Sequence, residues 1–180
     1  MRKVALAILT GIVGAAVLHI LIVLLVPFFA VNDAWSRLAA RASPEQFISV
    51  DTMLGSDGET QAVDPFTRTV ACRFVIGTTP VHIRADGQVP FWSLGVFDRQ
   101  SNELFSINDR NAASGSVDVA LATPAQMIGL RESIPARLAS AVLVEMPVRE
   151  GYIVLRTVIP DASHERAAAD FLGSAECEPL

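Results

Sequence analysis

The densest run of residues able to do chemistry is Asp98-Arg99, followed by Asn108-Asp109-Arg110. Trp92, His82 and Arg84 fall on neighbouring predicted strands. Arg forks bind carboxylates through paired hydrogen bonds. An indole adds a stacking face, and a concave group of such residues would take a small polar ligand. Trp92, Asp98, Arg99, Asn108, Asp109 and Arg110 therefore form the candidate ligand-binding set. Turn chemistry competes with this reading and outweighs it. Asn and Asp end strands because their side chains bond nearby backbone, and exposed Asp–Arg neighbours contribute little energy.

Other chemistry finds no footing. The residues around Ser93, Ser114 and Ser116 do not form G-x-S-x-G, so a nucleophile elbow is missing. His164-Glu165-Arg166-Ala167-Ala168 begins like a zinc-protease helix but has Ala where the second His belongs. His82 and His164 lack ligand-like neighbours at helical spacing. No glycine-rich phosphate loop is present. No catalytic residue, metal or cofactor is assigned, and an enzyme is the less favoured reading.

These residues need strands to position them. Val70, Cys72, Phe74 and Ile76 alternate with Thr69, Ala71, Arg73 and Val75, the period of a half-buried strand. Val81–Arg84, Trp92–Val96, Leu104–Ile107 and Val117–Leu121 repeat the pattern, separated by turns at Asp86-Gly87, Asp98–Asn102 and Asn108–Gly115. Thr123-Pro124 opens a short helix through Met127, Ile128 and Leu130 that stops before Pro135. A final hairpin is expected between Ala141–Met146 and Tyr152–Ile159, around Arg149-Glu150-Gly151. Asp161 or Ser163 then caps a helix that ends at Gly173. Six or seven short strands with two short helices predict a mainly β fold, an antiparallel β-sandwich or open barrel.

A long apolar helix precedes this unit. Val4 to Val26 supplies 23 residues without a formal charge, behind Arg2 and Lys3. About 20 apolar residues cross the bilayer core. The run is too long for a signal-peptide core, and no A-x-A-like site follows it, so an uncleaved signal-anchor is expected. Basic residues stay on the cytoplasmic side. The N-terminus is therefore expected inside a bacterial-type cytoplasmic membrane, and the remaining chain outside or in the periplasm. Ala7, Gly11 and Ala15 recur every four residues and His19 continues the row. Such spacing suits a helix-contact face, against the plainer reading of chance in a helix rich in Gly and Ala.

The expected organisation is residues 1–30 as cytoplasmic tip and transmembrane helix, 31–63 as short helix and irregular linker, and 64–180 as the β-rich domain. Asn32 or Asp33 would cap the short helix. The net charge of −5 includes +2 from Arg2 and Lys3, leaving −7 for the remainder. That argues against nucleic acid, which needs basic patches. Cys72 and Cys177 are the two cysteines. Outside the cytoplasm two thiols with none left over suggest one disulfide, the alternative being two unpaired small hydrophobes.

Several segments carry a family resemblance. Cys72-Arg73-Phe74, Pro80-Val81-His82-Ile83, Phe91-Trp92-Ser93-Leu94-Gly95-Val96-Phe97-Asp98 and Ser106-Ile107-Asn108-Asp109-Arg110 resemble, in this order, the domain of unknown function 1254 family. Thr123-Pro124-Ala125-Gln126, Leu130-Arg131 and the late Cys fit as well. Phe97 stands where a Tyr is common, and Gln100-Ser101-Asn102 lacks the common Gly. Short members with one N-terminal helix tend to be encoded beside a membrane protein of the domain of unknown function 1214 type. The resemblance thus implies half of a two-protein unit, and it brings no catalytic residue. Two functional readings follow. One is a membrane-anchored interaction module without a catalytic site, paired with a partner of the 1214 type. The other is an envelope enzyme or polar-ligand domain using Asp98–Arg110.

Overall fold

The computed structural model describes residues 2–30, 32–50, 64–112 and 115–180, and only the backbone of 27–30, 32 and 33. The expected capping by Asn32 or Asp33, the glycines at 55 and 58, and Ser114 lie outside the described side chains.

The chain begins with α1 (Arg2–Ala30), which is long and apolar enough to cross a membrane as signal or anchor. One residue later α2 (Asn32–Arg41) begins. The strands follow as β1 (Phe47–Ser49), β2 (Thr67–Val75), β3 (Val81–Ala85), β4 (Trp92–Asp98), β5 (Glu103–Asn108) and β6 (Val117–Ala122). Then come α3 (Pro124–Glu132), β7 (Val142–Glu145), β8 (Glu150–Val158), α4 (Glu165–Gly173) and β9 (Glu176–Pro179).

The strands build two sheets, ordered β1-β2-β8-β4-β5 and β7-β6-β3-β9. Alternation along each strand sends one face of each sheet into a shared core. Cys72, Phe74, Trp92, Leu94, Val96, Ile153 and Leu155 enter from the first sheet. Val81, Ile83, Val117, Val119 and Leu121 enter from the second, and Phe171 of α4 closes one side. The expected mainly β sandwich is the fold, and short α-helices form at the three places where they are expected. Two of them cover outer sheet faces. Met127 and Leu130 of α3, with Leu138, lie on Ala120 and Ala122. Leu38 and Ala42, on and just past α2, lie on Ala71 and Tyr152.

Local signals explain the helix ends. Thr123 accepts from the Gln126 N–H while the Gln126 side chain accepts from the Thr123 N–H, a reciprocal capping box with Pro124 in the first turn. Asp161 accepts from the Ser163 N–H ahead of α4.

Three features differ from, or add to, the expected organisation. The β7–β8 hairpin does not form. β7 lies parallel to β6, Val119 opposite Val142, while β8 lies between β2 and β4 in the other sheet. The glycine read as a turn has another task. Gly151 sits in β8 opposite Phe74, and a Cβ there would collide with the Phe97 carbonyl oxygen and the Phe74 ring. Second, Phe47–Ser49, read as irregular lead-in, adds β1 to the edge of β2. Third, the C-terminal tail is a strand, β9, paired with β3.

Candidate functional site

The six residues of the candidate ligand set are not brought together. β4 and β5 run antiparallel, with Ser93 opposite Asn108 and Phe97 opposite Glu103. Asp98 and Arg99 therefore sit at one end of this hairpin. Trp92 and Asn108–Arg110 sit at the other, about 20 Å away at some 3.3 Å per residue along β4. The sequence places both polar runs at strand ends, but only the register shows that the ends are opposite ones.

Trp92, Asp98 and Asn108 of the set have local duties. Trp92 is 1% exposed in the core, and its indole N–H donates to the Gly115 carbonyl at 2.8 Å. The Asp98 carboxylate accepts from the backbone N–H groups of Gln100 and Asn102 and from the Asn102 side chain, all within 2.8–2.9 Å. That is a turn closed by its own acid, with Ser101 in the left-handed region at φ 62°. The Asn108 side-chain oxygen accepts from the Arg110 N–H in the same manner. Arg110 is exposed. Asp109 is half-buried, and among the described residues its buried Oδ1 has no hydrogen-bond partner.

Arg99 belongs to a different arrangement, one not read from the sequence. Its guanidinium lies 5.3 Å from the Trp35 ring centre, and that of Arg73 lies 4.8 Å from the same ring. Arg99 also pairs with Glu150 at 3.5 Å. Arg73 donates to the carbonyls of Ala39 and Ala42, at the open C-terminal end of α2. Phe97 stacks on Tyr152 at 5.2 Å nearby, and the Tyr152 hydroxyl donates to Ser101. The helix that follows α1 is thus held on the outer face of the larger sheet by packing, a cation–π pair and capped carbonyls. Strand alternation puts Arg73 on that face. Nothing in the sequence says that Trp35 meets it.

A second polar cluster was also missed. His82 Nε2 lies 2.8 Å from Asp118 Oδ1, and the Ser140 hydroxyl donates to Asp118 Oδ2 at 2.7 Å. The acid stands in the middle of this trio. A nucleophilic triad requires the imidazole between serine and acid, so this order suits a brace. It ties β3, β6 and the lead-in to β7. Asp118 and Ser140 also line a narrow cleft with Trp92, Ile107, Ser116 and Val142, between the β5 and β7 edges. Among the described residues, no cluster of His, Cys, Asp and Glu is arranged to hold a metal ion.

The two cysteines meet. Cys72 on β2 and Cys177 on β9 form a disulfide between the two sheets, with Cα atoms 6.7 Å apart. Such a bond argues for a domain outside the cytoplasm. Ala7, Gly11, Ala15 and His19 lie along the exposed surface of α1.

No family model and no curated protein matches the chain. Among solved structures the chain is similar to the VPA0106 protein from Vibrio parahaemolyticus, with a TM-score of 0.61 and 11% identity over 83% of this chain and 35% of that one. It is also similar to an uncharacterized protein from Burkholderia cenocepacia, with a TM-score of 0.44 and 15% identity over 74% of this chain and 34% of that one. The first likeness concerns the fold alone. The chain spans about a third of the length of either protein.

Proposed function

We propose that this chain is a membrane-anchored envelope domain of the domain of unknown function 1254 type, a non-catalytic interaction module. In this reading α1 is an uncleaved anchor with its N-terminus in the cytoplasm, and the sandwich works in the periplasm or outside. The partner is a membrane protein of the domain of unknown function 1214 type, and the two form one unit.

The observation that carries this reading is the docking of α2. One residue after α1 ends, the chain enters a helix clamped to the larger sheet through Trp35, Leu38, Arg73 and Arg99. A domain held so close to its anchor is suited to meeting a neighbour in the same membrane. The related fold of the Vibrio protein occupies about a third of a longer chain, which fits a domain that works beside further protein mass. The separation of Asp98-Arg99 from Asn108–Arg110 along β4 favours this reading over the polar-ligand one.

A partner that binds only the folded domain stabilises it by mass action. The lifetime of this chain in membranes from cells lacking the 1214-type protein tests the reading. It is expected to fall several-fold. An unchanged lifetime would count against a shared unit.

A further inference from the structure

We infer that two copies of this chain pair along β5, with Ser106 of each copy opposite Ser106 of the other. The inference goes beyond the two-protein reading, needs no second protein, and rests on that reading only for α1 as a membrane anchor. Among the described residues the two sheets have four edge strands, β1, β5, β7 and β9. β1 has three residues, β7 and β9 four each, and β9 includes Pro179, which has no N–H to offer. β5 is the longest edge, at six residues. A row of open backbone groups on such a strand is a template for another strand.

The direction of those groups follows from the ladder. The Asp109 N–H donates to the Trp92 carbonyl, next to the Ser93–Asn108 pair. In an antiparallel ladder the backbone groups alternate. Those of Phe105, Ile107 and Asp109 therefore turn to β4, and those of Ser106 and Asn108 turn outward. The Asn108 carbonyl already accepts from the N–H groups of Asn111 and Ala112. Among the described residues, nothing bonds the Ser106 N–H or carbonyl.

A second copy fits this edge in one register better than in its neighbours. About a two-fold axis residue i meets j as j meets i. With Ser106 on the axis, the two serines exchange both backbone hydrogen bonds. Phe105 then falls opposite Ile107 of the second copy, and Ile107 opposite its Phe105. Both side chains are partly buried against the core of their own copy, so the pairing extends that apolar face. A slip of one residue would set inward side chains against outward ones. An axis on Phe105 would draw on Leu104 at the irregularity in the β4–β5 ladder, and an axis on Ile107 on the Asn108 carbonyl.

A strand pair this short buries less than the roughly 1,200 Å² of a stable interface. Confinement of two anchored copies to one membrane raises their effective concentration. The Ala7/Gly11/Ala15 row lets two α1 helices approach closely. The cost is Glu103 opposite Asp109 at either end of the pairing, a like-charge contact that salt screens.

Cys72 and Cys177 are bridged and the chain has no other cysteine, so Ser106→Cys adds the sole free thiol. A hydrogen-bonded antiparallel pair has Cα atoms about 5.5 Å apart, within disulfide reach. Full-length S106C in native membranes under mild oxidation is expected to cross-link into a dimer several-fold more than Arg166→Cys, an exposed control on α4. In the same membranes Ser106→Pro, which removes only an outward N–H, is expected to run as a monomer on native gels where wild type runs as a dimer. Cross-linking of S106C no better than R166C overturns the inference. So does an S106P chain that stays dimeric, or one that releases a different protein instead of a second copy.

Discussion

At residue 151 even a methyl group has no room. Gly151 is buried in β8, where the Phe97 carbonyl and the Phe74 ring come too close for a Cβ. Gly151→Ala is expected to destabilise the sandwich by about 1–3 kcal/mol, the usual cost of overpacking a core, read as a lower urea midpoint. An unchanged midpoint would mean that β8 does not sit between β2 and β4. Asp161 offers a pH test. Hydrogen bonds from the Ser163 hydroxyl and from His164 hold its carboxyl down, from 3.8 to about 2. Folded Asp161 thus binds its proton less readily than unfolded Asp161. Its contribution to stability is complete above 3.8 and is lost as pH falls through about 2. The gap in thermal midpoint between wild type and Asp161→Asn is expected near neutrality and should close across that window. A gap independent of pH would contradict the capping role.

The element on which the proposed function rests is α2. Leu38 is 2% exposed beneath it, and Leu38→Ala is expected to cost about 2–5 kcal/mol of packing. The loss should fall on the docking of α2. Limited proteolysis would then cut L38A between α2 and β1 at protease levels that spare wild type, while the rest of the sandwich stays resistant. Equal resistance would show that the clamp at Trp35, Arg73 and Arg99 holds the helix without Leu38.

The same scale shows what was legible. β2, β4 and β6 were readable because each buries one face, and alternation such as Trp92, Leu94, Val96 records that. The Thr123-Pro124 helix start was readable because its cap is local. The β7–β8 hairpin misled because two apolar runs around a glycine look alike whether they pair with each other or go to different sheets. β1 and β9 are too short to show a period, and their pairing comes from contacts far along the chain. The candidate ligand set divides between two ends of a hairpin for a related reason: composition marks strand ends, while only register says which ends meet. His82, Asp118 and Ser140 carry no spacing signal, since three separate segments bring them together.

For the whole molecule, the disulfide joins the two sheets at the side where β2 and β9 lie. It closes a loop of 105 residues. In the chain-entropy model such a closure is worth up to about 4–5 kcal/mol. Reduction of the folded protein, or the paired change of Cys72 and Cys177 to Ser, is expected to lower the urea midpoint markedly while the sandwich persists. Insensitivity to reductant would mean that the bridge adds nothing to sheet docking. Apolar helix, clamped helix and sandwich are the features on which the proposed membrane-held unit is built. The most direct test of that account is native mass spectrometry of the full-length chain, isolated from its own membranes in mild detergent. The account predicts a stoichiometric complex with a membrane protein of the 1214 type. A chain that emerges without such a partner would contradict it.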